Sequence, residues 1–135
     1  MKAEGESRKA EGEATPPQDI EERTLAYGVR AVRLFRALQE SDDRAGWIVG
    51  KQFLRSATSV GANVAEARSG ESRKDFVHKL QIAQKEAHES LYWLRLMAEA
   101  GVLSPDRLAA ITTETDELVR ILATMSRNAK RNAQT

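Results

Sequence analysis

Cysteine is missing altogether from these 135 residues. That excludes a disulfide framework and any thiolate metal site, and it argues against a small secreted scaffold. Proline occurs three times, and the aromatic residues amount to two Trp, two Tyr and three Phe; so few of both favours helices over a sheet-rich fold. No apolar run approaches the roughly 18–20 residues of a membrane span, and the N-terminal MKAEGESRKAEGEATPPQ has no hydrophobic region for export. The expectation is a cytoplasmic protein with no membrane partner. Charge of one sign is also lacking, since 21 basic residues oppose 20 acidic ones. Such a balance does not by itself call for nucleic acid, although a patch on one face of an oligomer could still matter.

What is present is helical pattern. Residues 1–18 are rich in Glu, Lys, Gly, Ser and Ala and end in Pro16-Pro17, too little apolar surface to offset ordering entropy, and read as a flexible tail. Residues 19–131 read as one domain. A first helix is expected over about 20–41, where Leu25, Val29, Val32, Leu34, Phe35 and Leu38 recur at helical intervals. Ser41-Asp42-Asp43 can cap a second helix over 45–68. Its centre, Ser56 to Ala65, is made of small residues with Val60, Gly61 and Val64. Glycine costs about 1 kcal/mol against alanine in a helix, so close tertiary packing must offset the weak propensity. Ser69-Gly70-Glu71-Ser72 supplies a glycine suited to a left-handed cap and a serine able to cap a third helix over 72–100, with Asp75 in its first turn. Phe76, Leu80, Ala83, Ala87, Leu91, Leu94 and Ala98 form its apolar stripe. Gly101 closes it. Ser104-Pro105 opens a fourth helix over 105–128, in which Leu108, Ile111, Thr115, Leu118, Leu122 and Met125 repeat with heptad spacing. Residues 132–135 are expected to fray. Four amphipathic segments joined by short turns bury their stripes most simply as an all-α, antiparallel up-down four-helix bundle.

Three blocks carry a family likeness. Arg55-Ser56-Ala57-Thr58-Ser59-Val60-Gly61-Ala62-Asn63 is followed by Glu66-Ala67 and by Ser72-Arg73-Lys74-Asp75-Phe76-Val77-His78-Lys79-Leu80; then come Ala83, Lys85-Glu86-Ala87, Glu89 and Tyr92-Trp93-Leu94. Together they resemble the four-helix-bundle proteins encoded within intervening sequences of bacterial 23S ribosomal RNA genes, more loosely over about 20–126. The resemblance implies a bundle that commonly assembles as a ring-shaped homopentamer with no established enzymatic activity. A similar bundle is the accessory protein of diversity-generating retroelements, where a basic pentameric barrel binds a reverse transcriptase and nucleic acid; that relation is analogy of fold. This chain departs from the pattern at His88, where arginine is frequent, and in its low net charge.

Two sets of residues stand out as candidate sites. Arg55, Ser59, Asn63 and Glu66 form one polar stripe on the second helix; Asp75, Lys79, Glu86 and Trp93 form another on the third. They read first as bundle-edge or subunit-interface bonds, and second as a surface holding an anionic partner such as RNA or DNA. Arg68, Arg73 and Lys74 cluster at the joint between these helices, beside a helix start that favours phosphate, with Lys85 further along; a solvated turn is the bland reading. Tyr92 and Trp93 read as core and interface anchors rather than a base-stacking platform.

Enzyme chemistry finds no foothold. A di-iron carboxylate site needs paired Glu-x-x-His turns, and Asp75-x-x-His78 approximates only half of one. Ser56 and Ser59 have no histidine within local reach, and no phosphate-binding glycine loop exists. The sequence therefore reads as a non-enzymatic, cofactor-free interaction or assembly module, the alternatives being an orphan structural product of a mobile element or a reverse-transcriptase accessory.

Overall fold

A computed structural model describes residues 16–70 and 72–133. They form four helices, α1 (Pro16–Leu38), α2 (Arg44–Arg68), α3 (Arg73–Glu99) and α4 (Pro105–Ala133), with no strand among the described residues. Consecutive helices pack closely, whereas α1 and α4 meet sparsely. Pairs such as Glu21–Arg68 and Thr24–Gly61 for α1/α2, and Arg55–Glu86 and Glu66–Lys79 for α2/α3, run in opposite senses along each pair, so these neighbours are antiparallel.

Local chemistry sets the boundaries. Asp43 caps α2 by accepting from the Gly46 N–H at 3.0 Å, and Ser72 caps α3 by accepting from the Asp75 N–H at 3.0 Å. Gly101, at φ 77, ends α3: the Val102 N–H reaches the Met97 carbonyl at 2.9 Å and the Gly101 N–H reaches Ala98 at 3.3 Å, a Schellman closure.

Three boundaries differ from the sequence-based expectation. α1 begins at Pro16 rather than 20, because proline's missing N–H would have no partner in a first turn anyway. It ends at Leu38 rather than 41, because the Leu38 carbonyl is taken by the Trp47 indole N–H at 2.9 Å and by the Ser41 N–H at 3.2 Å and hydroxyl at 3.1 Å. α4 continues to Ala133, through residues expected to fray. Residues 1–15 of the expected tail, and 134–135, lie outside the described residues. The expected left-handed cap at Gly70 is absent, since Gly101 is the described glycine with positive φ. α2 instead closes with tight turns from Ser69 to Glu66 and Gly70 to Ala67, each 3.2 Å. Gly70 is small for another reason: a Cβ there would lie 2.5 Å from the Asp75 carboxylate.

The core runs through Ile20, Tyr27 and Ala31 of α1, Phe53, Val60 and Val64 of α2, Leu80, Leu94 and Met97 of α3, and Leu108, Leu118 and Leu122 of α4. Each large side chain so buried contributes about 1.5–3 kcal/mol. Small residues let the backbones approach: Gly61 would place a Cβ 3.1 Å from the Thr24 carbonyl oxygen, and Ala57, Ala83 and Ala87 are fully buried. At mid-height the four helices each contribute one hydroxyl. Ser56 meets Ser90 at 2.7 Å, and Tyr27 meets Thr115 at 2.6 Å. Burial, only partly countered by Thr115 and Ser90, pushes the Tyr27 phenol up to about 12. The expected α1 stripe is corrected here. Leu25 is 69% exposed and Val29 42%, while Ile20, Thr24, Tyr27, Ala31 and Leu38 face inward.

Candidate functional site

The two polar stripes meet across the α2/α3 seam. Arg55 bonds the Glu86 carboxylate at 3.5 Å and Glu89 more closely; the Trp93 indole N–H also donates to Glu89, at 2.9 Å. Lys79 donates to Glu66 at 2.8 Å. Asn63 donates to the Ser59 carbonyl at 2.9 Å and lies 3.0 Å from its hydroxyl, so this pair closes on its own helix. Asp75 turns toward Gly70 at the joint and touches the network only through its charge on Lys79. The Trp93 hydrogen bond, and then Arg55, hold the Glu89 carboxyl below its ordinary range; Glu89 in turn raises Arg55, and Glu66 raises Lys79. Within one chain these groups already satisfy one another.

The joint cations do not converge. Arg68 bonds Glu21 at 2.9 Å, Arg73 stands 6.0 Å over the Phe76 ring, and Lys74 and Lys85 are exposed along α3. Arg68, Ser72, Arg73 and Phe76 line a shallow recess of about 380 Å³. Elsewhere Arg23 of α1 takes the Glu114 carboxylate of α4 in two bonds of 2.8 and 2.9 Å and reaches Glu117 as well, which raises its pKa, Glu114 acting most.

Sequence reasoning missed an apolar groove on the surface. Of about 680 Å³, it runs between α1 and α2, walled by Leu25, Val29 and Val32 and floored by Gly61, Ala62 and Ala65. Its signal was legible: α1 carries two apolar stripes side by side, and one bundle core can take only one of them. Glu21, Glu22 and Arg68 close one end of it.

No group of three or more His, Cys, Asp or Glu side chains able to hold a metal exists among the described residues. Among them, too, no helix is long and apolar enough to cross a membrane. His78 and His88 are exposed on α3, away from the buried Ser56 hydroxyl. The described residues thus define an all-helical, four-helix protein. The chain belongs to the family of 23S rRNA-intervening sequence proteins, whose model matches residues 23–124. It is similar to a crystal structure from Bacteroides thetaiotaomicron VPI-5482, described as a protein of unknown function from the S23 ribosomal protein family. The two are 33% identical, with a TM-score of 0.77, over 84% of this chain and 99% of that one. A search among curated proteins finds no match. Neither the family description nor the solved relative points to a catalytic activity.

Proposed function

We propose that the chain is a non-enzymatic module that assembles with copies of itself through the α1/α2 groove and presents basic surface to nucleic acid. The groove carries the assembly reading. Leu25 and Val29 expose branched apolar side chains to water beside a floor of small residues, and contiguous apolar surface of this kind marks contact sites. The α2/α3 stripes, by contrast, consume their charges internally and leave little for a partner. A groove that accepts a different face of the next copy builds a closed ring, five copies being the number the family resemblance favours; groove against groove builds a dimer.

Light scattering on the purified protein tests this. The expected mass is that of five chains, and Leu25→Glu should reduce it to one chain while circular dichroism keeps its helical signal. A wild-type monomer at all concentrations, or a Leu25→Glu protein with unchanged mass, would overturn the assembly reading.

A further inference from the structure

The outward face of α3 sorts its charges. From Lys74 through His78, Lys85, His88 and Tyr92 to Arg95, side chains at alternating steps of four and three lie on one exposed stripe, with Gln81 completing it. At 1.5 Å per residue the stripe is about 30 Å long. It contains no carboxylate over that length. Asp75, Glu86 and Glu89 sit on the flank toward α2, where Arg55 occupies both glutamates and Lys79 feels Asp75. Glu99 closes the far end through a 3.3 Å pair with Arg95, both side chains at least 70% exposed. So exposed a pair is weak and gives way readily to a phosphate.

Tyr92 is the second observation. The sequence reads it as a core or interface anchor; the residue is 58% exposed and so lies outside this chain's core, between His88 and Arg95 on the stripe. It stands edge-to-face on Trp93 at 5.0 Å, and Trp93 is fixed in turn by Glu89. An exposed ring with a braced base, and with Lys85 and Arg95 on either side along the stripe, offers one face to a flat partner. Phosphate contacts require only the cations; stacking on Tyr92 requires a base that is free of its own helix stack.

We infer that the outward face of α3 binds single-stranded nucleic acid, with Lys74, Lys85 and Arg95 along the phosphates and Tyr92 stacking on a base. This rests on the nucleic-acid half of the proposed function and not on self-assembly. It keeps Lys74 from the joint and runs on along α3, leaving out Arg68, which is paired with Glu21, and Arg73, which lies over Phe76.

Fluorescence anisotropy with labelled oligouridylate and oligothymidylate of about 20 nucleotides, longer than a single-strand site of about 4–16 nucleotides, tests it against a duplex of equal length. Single strands should bind more tightly than duplex. The double change Lys85→Glu/Arg95→Glu should weaken single-strand binding by about tenfold or more and flatten the salt dependence by roughly 1.4 log units per log unit, about 0.7 per lost phosphate contact. Tyr92→Ala should weaken it about tenfold and leave duplex binding unchanged, whereas Tyr92→Phe should retain it. Arg33→Glu/Arg36→Glu on α1 makes the same change in net charge elsewhere and should cost less than about twofold if placement matters rather than total charge. Equal losses from the α1 and α3 pairs overturn the assignment to α3. Binding of duplex but not of single strands overturns this inference and leaves the nucleic-acid reading standing; no binding of either, at low salt, overturns both.

Discussion

The α1/α2 and α2/α3 seams share a helix and differ in how their outer edges end. Over α2/α3, Arg55, Lys79, Glu66, Glu86 and Glu89 lock together above a floor of buried alanine and serine. Over α1/α2, the corresponding edge is Leu25, Val29 and Val32 beside exposed Ala62 and Ala65, and the Glu21–Arg68 pair sits at one end. The first edge is finished within one chain. The second leaves apolar area in water, a cost of about 25 cal/mol for each Å² that a partner would remove. A helix can therefore be complete on one flank and unfinished on the other, and the unfinished flank is the better guide to assembly.

The comparison breaks most visibly at Leu25. Leu25→Glu should weaken self-association by on the order of 100-fold, as loss of a central anchor does, and should lower the apparent melting temperature only by the stability that assembly contributes, because within one chain the side chain is already in water. A matched insertion on the other seam should do the reverse: Ala87→Leu, at a fully buried position, should cost about 1–3 kcal/mol of stability by overpacking, read by urea titration of the chain, with assembly retained once it is folded. Smaller again is Tyr27→Phe, expected to lose about 1 kcal/mol by deleting the bond to Thr115. The smallest effect belongs to the charged edge. Arg55→Ala should lose no more than about 1 kcal/mol, since its carboxylate partners are partly solvated.

That edge also has a pH signature. The folded state holds Glu89 below the ordinary carboxylate range, first through Trp93 and then through Arg55. The unfolded chain therefore binds its proton at higher pH than the folded chain does. The stabilisation is complete above the ordinary carboxylate range and fades as pH falls through that range toward the depressed folded value. Glu89→Gln should flatten this acid limb of the stability curve, and a limb of unchanged slope would show that Glu89 does not contribute.

Much of α2, α3 and α4 was legible because their ends are written in neighbouring residues: Asp43, Ser72, Gly101 and Pro105 act within a turn of where they stand. α1 was misread because its apolar residues fill two stripes, and periodicity alone cannot say which faces inward. The joint glycine was misread because Gly70 answers to the bulk of Asp75 rather than to backbone conformation. For the candidate site, the two polar stripes were visible from spacing, and the second apolar stripe of α1 signalled the groove, but Glu89 as a shared acceptor for Arg55 and Trp93 depends on how whole helices face each other.

The hydroxyl layer was invisible for the same reason, its partners lying 34 and 88 residues apart along the chain. Its consequence concerns the folds this chain does not adopt. Leucine and alanine faces exchange partners cheaply, so a helix slid by one turn would still find apolar contacts. Ser56, Ser90 and Thr115 could each retreat to a carbonyl of their own helix, at Phe53, Glu86 and Ile111. Tyr27 has no such refuge among its described bonds. A slipped packing would strand its hydroxyl in hydrocarbon at a cost of about 1–3 kcal/mol, so one phenol near the middle of α1 selects the native alignment over its closest competitors.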